Sequence, residues 1–175
     1  MTTAIIYEGA AGTPVHGPST TIVAAPRDQV VPTARRLVDA GARRIELCGA
    51  MWPLPWAAVR RELGGRARVG GVMYGFESLE GIAEFKRRFA AGEVLTGAFL
   101  YLESGADPAV DRHEHAGTTF VAVPDEDAVA GVVAELSDRG VALFELYGGL
   151  SAAAAAAAVD AAGGRVPVGV ALYDR

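Results

Sequence analysis

Two glutamates, Glu46 and Glu145, each stand in the middle of a short apolar run, Arg44-Ile45-Glu46-Leu47-Cys48 and Leu143-Phe144-Glu145-Leu146-Tyr147. Read as strands, these runs place Arg44, Glu46 and Cys48 on one face and Ile45 and Leu47 on the other; Leu143, Glu145 and Tyr147 share a face in the second run. Burial raises a carboxylate pKa toward the range useful for proton transfer, and two related carboxylates facing one cavity can divide the acid and base roles. The alternative is a structural glutamate, bonded to backbone amides or paired with Arg44, Arg66 or Arg165. On the first reading Glu46 and Glu145 are candidate catalytic residues.

Other side chains gather around the same strand ends. Cys48 precedes Gly49 and a helix start, where the helix dipole lowers a thiol pKa, but a lone cysteine more often packs as a small hydrophobe, and here it reads as a pocket-lining residue. Tyr147 takes its place in the second run. Gly148-Gly149-Leu150-Ser151 follows a strand and opens a helix, so its amides suit a carboxylate or phosphate on a ligand. Trp52 reads as a rim residue of a pocket, while Trp56 fits core packing equally well. Glu8 and Glu103 end the first strands, and Tyr74, like Tyr173, ends a last one; Glu8, Glu103 and Tyr74 join Cys48, Trp52, Tyr147, Gly148 and Gly149 as candidate substrate-binding residues. The histidines, His16, His113 and His115, all fall in the stretches after the first strands, which makes His16 and His113 candidate general acids or bases. His113-Glu114-His115 is a weak metal pattern, and no metal is expected. No phosphate-binding glycine motif of the dinucleotide or ATP type is present, so no cofactor is expected.

The elements that hold these residues come twice. Thr20-Thr21-Ile22-Val23-Ala24-Ala25-Pro26 matches Thr118-Thr119-Phe120-Val121-Ala122-Val123-Pro124, the two glutamate runs match, and Gly64-Gly65-Arg66 to Gly70 matches Gly163-Gly164-Arg165 to Gly169, at an offset of 98 or 99. The chain therefore reads as repeat 1 over residues 1–75, a connecting helix over 76–96 and repeat 2 over 97–175. Each repeat is predicted as ββαβαβ, giving eight strands. Helical crossovers imply parallel pairing and an α/β fold, either compact and barrel-like or two sheets packed as a pseudo-dimer about a pseudo-twofold axis. The stretches 9–19 and 104–117 lack apolar periodicity, so the first two strands of each repeat are either antiparallel or joined by a helix-free crossover. Asp28 is expected to cap the first helix and Ser78 the connecting one, with Leu79, Ile82, Phe85 and Phe89 facing inward.

With Gly105-Ala106-Asp107-Pro108, Glu46-Leu47-Cys48-Gly49, Gly148-Gly149 and Pro167-Val168-Gly169, the sequence resembles a family of small bacterial proteins of undefined function that are usually one repeat long. The resemblance covers nearly the whole chain as two copies and implies the architecture without implying a chemistry. It also implies that one-repeat relatives dimerise as these two halves pack.

The 175 residues are 51% hydrophobic and carry a formal net charge of −5, which provides material for a packed core and no basic stripe for a nucleic acid. The longest bland run, Ala152 to Val159, is too short to span a bilayer, so no membrane partner is expected and the chain reads as cytoplasmic. Together these features predict a cofactor-independent enzyme of small-molecule metabolism or biosynthesis, an isomerase, cyclase or lyase that moves protons in a pocket between the repeats. A non-catalytic small-ligand binding protein and a structural oligomer-forming module are the alternatives, with a monomer (pseudo-dimer) or homodimer as the assembly.

Overall fold

The computed structural model describes residues 2–51, 53–115 and 117–173. Repeat 1 forms β1 (Thr3–Glu8), β2 (Val15–His16), β3 (Thr20–Ala25), α1 (Val30–Asp39), β4 (Arg44–Leu47), α2 (Leu54–Leu63) and β5 (Arg68–Tyr74). After α3 (Leu79–Ala90), repeat 2 forms β6 (Gly97–Leu102), β7 (Arg112–His115), β8 (Thr118–Val123), α4 (Ala128–Asp138), β9 (Leu143–Tyr147), α5 (Ala152–Ala161) and β10 (Val168–Tyr173). The described residues thus hold ten strands rather than the eight read from the sequence. The extra two, β2 and β7, are short and polar, without the alternation that marks a strand, and exist because each pairs antiparallel with the edge of β3 or β8.

The chain forms two compact units whose boundary falls inside the last strand of each repeat. One unit takes the chain up to Val72 together with the end of β10 from Ala171; the other is Met73–Val170. The closing tyrosine of each repeat therefore belongs to the unit built mainly from the other repeat.

In the first unit the strand order is β2-β3-β1-β4-β5. β1 lies parallel to both β3 and β4, with Ile5 opposite Ile22 and Glu46, and Glu46 is in turn opposite Gly70 of β5. In the second unit the order is β10-β9-β6-β8-β7, with Phe99 opposite Phe120 and Glu145, and Glu145 opposite Gly169. Of the two options open for β1 and β3, the helix-free parallel crossover is the one formed, and the same holds for β6 and β8.

Alternation sorts each sheet into two faces. In the second unit Ala98, Leu100, Val121, Val123, Phe144 and Leu146 form one core with the inward residues of α4 and α5. The poly-alanine helix suits this place, since Ala154, Ala158 and Ala162 are small enough to bring α5 close to the sheet. The first unit follows the same pattern with Ile6, Val23, Ile45 and Leu47 buried, along with Val30, Ala34, Val38, Val59 and Leu63 of α1 and α2. The opposite face of each sheet carries the glutamates.

Three local expectations are corrected. α1 begins at Val30 after a tight turn over Arg27–Gln29, and the Asp28 side chain makes no capping hydrogen bond. Ser78 is buried, but its hydroxyl exchanges hydrogen bonds with the Val168 backbone, donating to the carbonyl and accepting from the N–H, instead of capping α3. On α3 Gly81, Ile82 and Phe85 are half-buried, while Leu79 and Phe89 are exposed, because the helix packs on the rest of the second unit through a narrow strip where Gly81 meets Pro167. No helix among the described residues is long and apolar enough to cross a membrane.

Candidate functional site

Glu46 is wholly buried at the centre of β4. Its carboxylate accepts a hydrogen bond from the Tyr173 hydroxyl at the end of β10. Gly70 makes this approach possible: a Cβ at that position would stand 3.0 Å from the Tyr173 ring and 2.9 Å from the Leu172 carbonyl oxygen. Arg44 and Arg68, paired in register at the start of β4 and β5, flank the same ring, with guanidinium carbons 5.7 and 4.6 Å from its centroid. Burial holds the Tyr173 phenol protonated well above its ordinary 10.0; the negative charge of Glu46 and the hydrogen bond to it act the same way, and Arg44 opposes them. The group is thus a carboxylate, a phenol that keeps its proton and two cations on one face, toward the amino ends of the parallel strands.

The second unit repeats the carboxylate and the phenol with different neighbours. Glu145, also buried, accepts from the Tyr74 hydroxyl at 2.5 Å and from the Tyr147 hydroxyl on its own strand. Phe99 packs edge-on against Phe120 and tilted against Tyr147. Leu143 and Pro167 stand where the first unit has Arg44 and Arg68, and Tyr147 stands where it has Cys48. The same carboxylate is therefore set among phenols and apolar rings instead of among cations.

The remaining candidates separate from these two clusters. At the carboxyl end of the first sheet Arg27 bonds Glu8 at 3.0 Å and the Ala50 carbonyl at 2.6 Å, and the buried Cys48 sulfur accepts the Glu8 backbone N–H at 3.4 Å. This joins Glu8 and Cys48 in a strand-end contact. The Glu103 N–H bonds the Val123 carbonyl at 2.9 Å at the carboxyl end of the second sheet, and burial, then the charges of Glu103 and Asp111, raises the Tyr101 phenol there. Gly148 has a positive φ of 75°, and its missing side chain admits the Leu102 backbone, since a Cβ there would fall 2.6 Å from the Leu102 nitrogen. The anion position expected at Gly148-Gly149 is taken by the protein itself. Glu126 accepts from the Ser151 N–H and hydroxyl, and the Ser151 hydroxyl oxygen accepts from the first amides of α5.

The histidines do not lie in loops over a cavity mouth but on the edge strands. His16 pairs with Thr21, which puts it on the face opposite Glu46 and three strands away, on the order of 14 Å. Its ring meets the Thr21 hydroxyl at 3.2 Å. His113 is opposite Phe120, on the Glu145 face but exposed at the edge. The two histidines are not equivalent, which removes the symmetry that suggested a shared role. Among the described residues no group of three His, Cys, Asp or Glu side chains forms a metal-binding cluster. Trp52 lies outside the described residues, and the Trp56 indole donates to the Val69 carbonyl at 3.2 Å. A cleft of about 240 Å³ lined by Phe85, Arg88, Val141, Arg165 and Pro167 lies in the second unit, and neither carboxylate lines it.

A protein-family model matches the chain twice, over residues 14–87 and 95–175, and its description is a family of unknown function, DUF6506. The chain belongs to the DUF6506 family. It holds two DUF6506 copies in tandem, which agrees with the duplication read from its own repeats. No curated protein matches it. A solved structure described as the ABC domain in complex with L-Trp from Streptococcus pneumonia is 12% identical over 95% of this chain and 72% of that one, with a TM-score of 0.33. Each cluster joins a glutamate and the glycine opposite it in one DUF6506 copy to the closing tyrosine of the other copy. Tyr173, Arg44 and Arg68 are the site residues that sequence reasoning leaves out of the binding set. The signal for Tyr173 is its repeat equivalence to Tyr74, and for the arginines it is the strand alternation that puts each on the face of Glu46.

Proposed function

We propose that the first unit carries a proton-transfer site for a small molecule, in which Glu46 is the base and Tyr173 the hydrogen-bond donor. The observation that carries this reading is the pairing of a wholly buried carboxylate with a phenol that burial keeps protonated, beside two guanidinium groups. Glu46 takes a proton from a substrate C–H bond. The Tyr173 hydroxyl, released from a carboxyl that is now neutral, donates to the substrate oxygen on which the electron pair settles. Return of the proton to a neighbouring atom completes an isomerisation; loss of a leaving group with its bonding pair makes the reaction a lyase. Because Glu46 is buried beneath Tyr173, substrate contact requires the Tyr173 ring to swing from its place over Gly70. Glu145 takes a scaffold role in this reading, since two tyrosines hold it and no arginine occupies the places of Arg44 and Arg68.

The test is deuterium exchange. Small carbonyl and carboxylic compounds incubated with the protein in D2O lose specific C–H signals by NMR when a proton-transfer site acts on them. Glu46→Gln is expected to keep the fold and slow that exchange by roughly 10²-fold or more, the usual contribution of a general base, while Glu145→Gln slows it less. A panel in which nothing exchanges, or a Glu46→Gln variant that exchanges as fast as the parent, overturns the reading.

A further inference from the structure

We infer that the molecule held at the Glu46–Tyr173 pair is a small oxyanion, a carboxylate or phosphate ester, whose charged end binds Arg44 and Arg68. This rests on the proton-transfer reading and adds the substrate class to it. Three observations point the same way. First, the register sets Arg44 opposite Arg68 on adjacent strands, and both guanidinium groups lie against the Tyr173 ring, so two like charges are gathered around one phenol. Second, the Arg44 Nε is buried and has no hydrogen-bond partner among the described residues, a state rare in native proteins. Third, among the described residues neither Arg44 nor Arg68 forms an ion pair with a carboxylate, unlike Arg66 with Asp39 and Arg112 with Glu135.

The placement suits a ligand that enters from solvent. Arg68 is exposed and Arg44 half-buried, and both lie against the Tyr173 ring. A planar guanidinium offers paired N–H donors that fit the oxygens of a carboxylate or phosphate, and an anion there would accept the Arg44 Nε proton. Glu46 alone does not neutralise both cations, and its carboxylate is already engaged by the Tyr173 hydroxyl. The second unit has no such pair, because Leu143 and Pro167 fill the equivalent positions.

The probes are inorganic phosphate and malonate, titrated into the intact protein at constant ionic strength with chloride as the reference, and read from the NMR signals of arginine Nε–H groups. Saturable binding of roughly millimolar affinity with a shift of the Arg44 Nε–H is expected. Arg44→Gln and Arg68→Gln are each expected to weaken it at least about tenfold, the factor that loss of a charge-assisted hydrogen bond brings. Arg44→Lys, which keeps the charge but not the fork, gives an intermediate loss, and Arg66→Gln leaves binding unchanged. Tighter binding of phosphate points to a phosphate ester and tighter binding of malonate to a carboxylate; either outcome supports the inference. A linear response equal to that of chloride, or binding that survives both Arg→Gln variants in folded protein, overturns it. Glu46→Gln separates the two readings. Anion binding kept in that variant while exchange also stays fast removes the proton-transfer role alone; exchange on an uncharged substrate without anion binding removes the oxyanion alone.

Discussion

Removing one oxygen tests the pairing on which the site depends. In Tyr173→Phe the ring keeps its place over Gly70 and against the two arginines, and only the hydroxyl that donates to Glu46 is lost. Glu46 is wholly buried, so no water compensates for that bond, and hydrogen bonds to charged groups contribute about 1.5–3 kcal/mol. For a chain of this size that corresponds to a fall in Tm of roughly 4–10 °C. Urea unfolding followed by tryptophan fluorescence measures it, because the Trp56 indole is tied to Val69, next to Gly70. A double-mutant cycle with Glu46→Gln isolates the bond and should return a coupling of about 1–3 kcal/mol. Tyr74→Phe should cost less, near 1 kcal/mol, because Tyr147 still donates to Glu145. A Tyr173 coupling within about 0.5 kcal/mol of zero would refute the argument, since that is the scatter of independent sites.

Gly70→Ala forces a methyl to within 3.0 Å of the Tyr173 ring, so it should destabilise by about 1–3 kcal/mol and lower the pH at which Tyr173 ionises, as seen by tyrosinate absorbance. In the parent protein the folded-state pKa of Tyr173 is raised, so its contribution to stability is complete below the ordinary 10.0 and is lost as pH rises beyond it; its tyrosinate signal should appear together with unfolding in an alkaline titration. The Glu135 carboxyl is held below its ordinary 4.5, chiefly by the hydrogen bond from Arg112, so that pair stabilises at neutral pH and the benefit falls away in acid. Arg112→Gln should therefore lower the urea midpoint at neutral pH, and the difference from the parent should shrink as the pH drops below the carboxyl range.

Much of this arrangement was legible in local pattern. The duplication, the alternation that turns Glu46 and Glu145 to one face, and the role of the alanine run as a closely packed helix all follow from the identity and spacing of residues within a few turns or strands. What was not legible depends on partners distant in sequence. Tyr173 reaches Glu46 across 127 positions and Tyr74 reaches Glu145 across 71, and nothing local says that each tyrosine serves the glutamate of the other repeat. The strands β2 and β7 have no apolar alternation and exist only through pairing with β3 and β8. Ser78 carries a capping residue type but finds a buried backbone partner at Val168, and tertiary contact decides against the local preference. The histidines misled for a related reason: a one-residue change of register on an edge strand moves a side chain to the other face, so His16 and His113 occupy matching stretches of the two repeats without sharing an environment.

The two copies solve one physical problem in two ways, and the difference bears on function. Each buries a carboxylate, which is tolerable only if dipoles or counter-charges replace water. The second unit supplies a second phenol, Tyr147, which lies within the sheet and is wholly buried, and Leu143 and Pro167 stand where the first unit has Arg44 and Arg68. The first unit has Cys48 at that position, with its sulfur turned to the Glu8 backbone, and Arg44 and Arg68 stand beside the phenol instead. A phenol clamp is complete in itself. A pair of guanidinium groups has donors to spare, one of them buried without an acceptor, and one of the two arginines faces solvent. Duplication lets one copy keep the sealed arrangement and hold the fold while the other keeps an open valence. For that reason we propose that any proton transfer runs through Glu46 and Tyr173 rather than being divided between both glutamates.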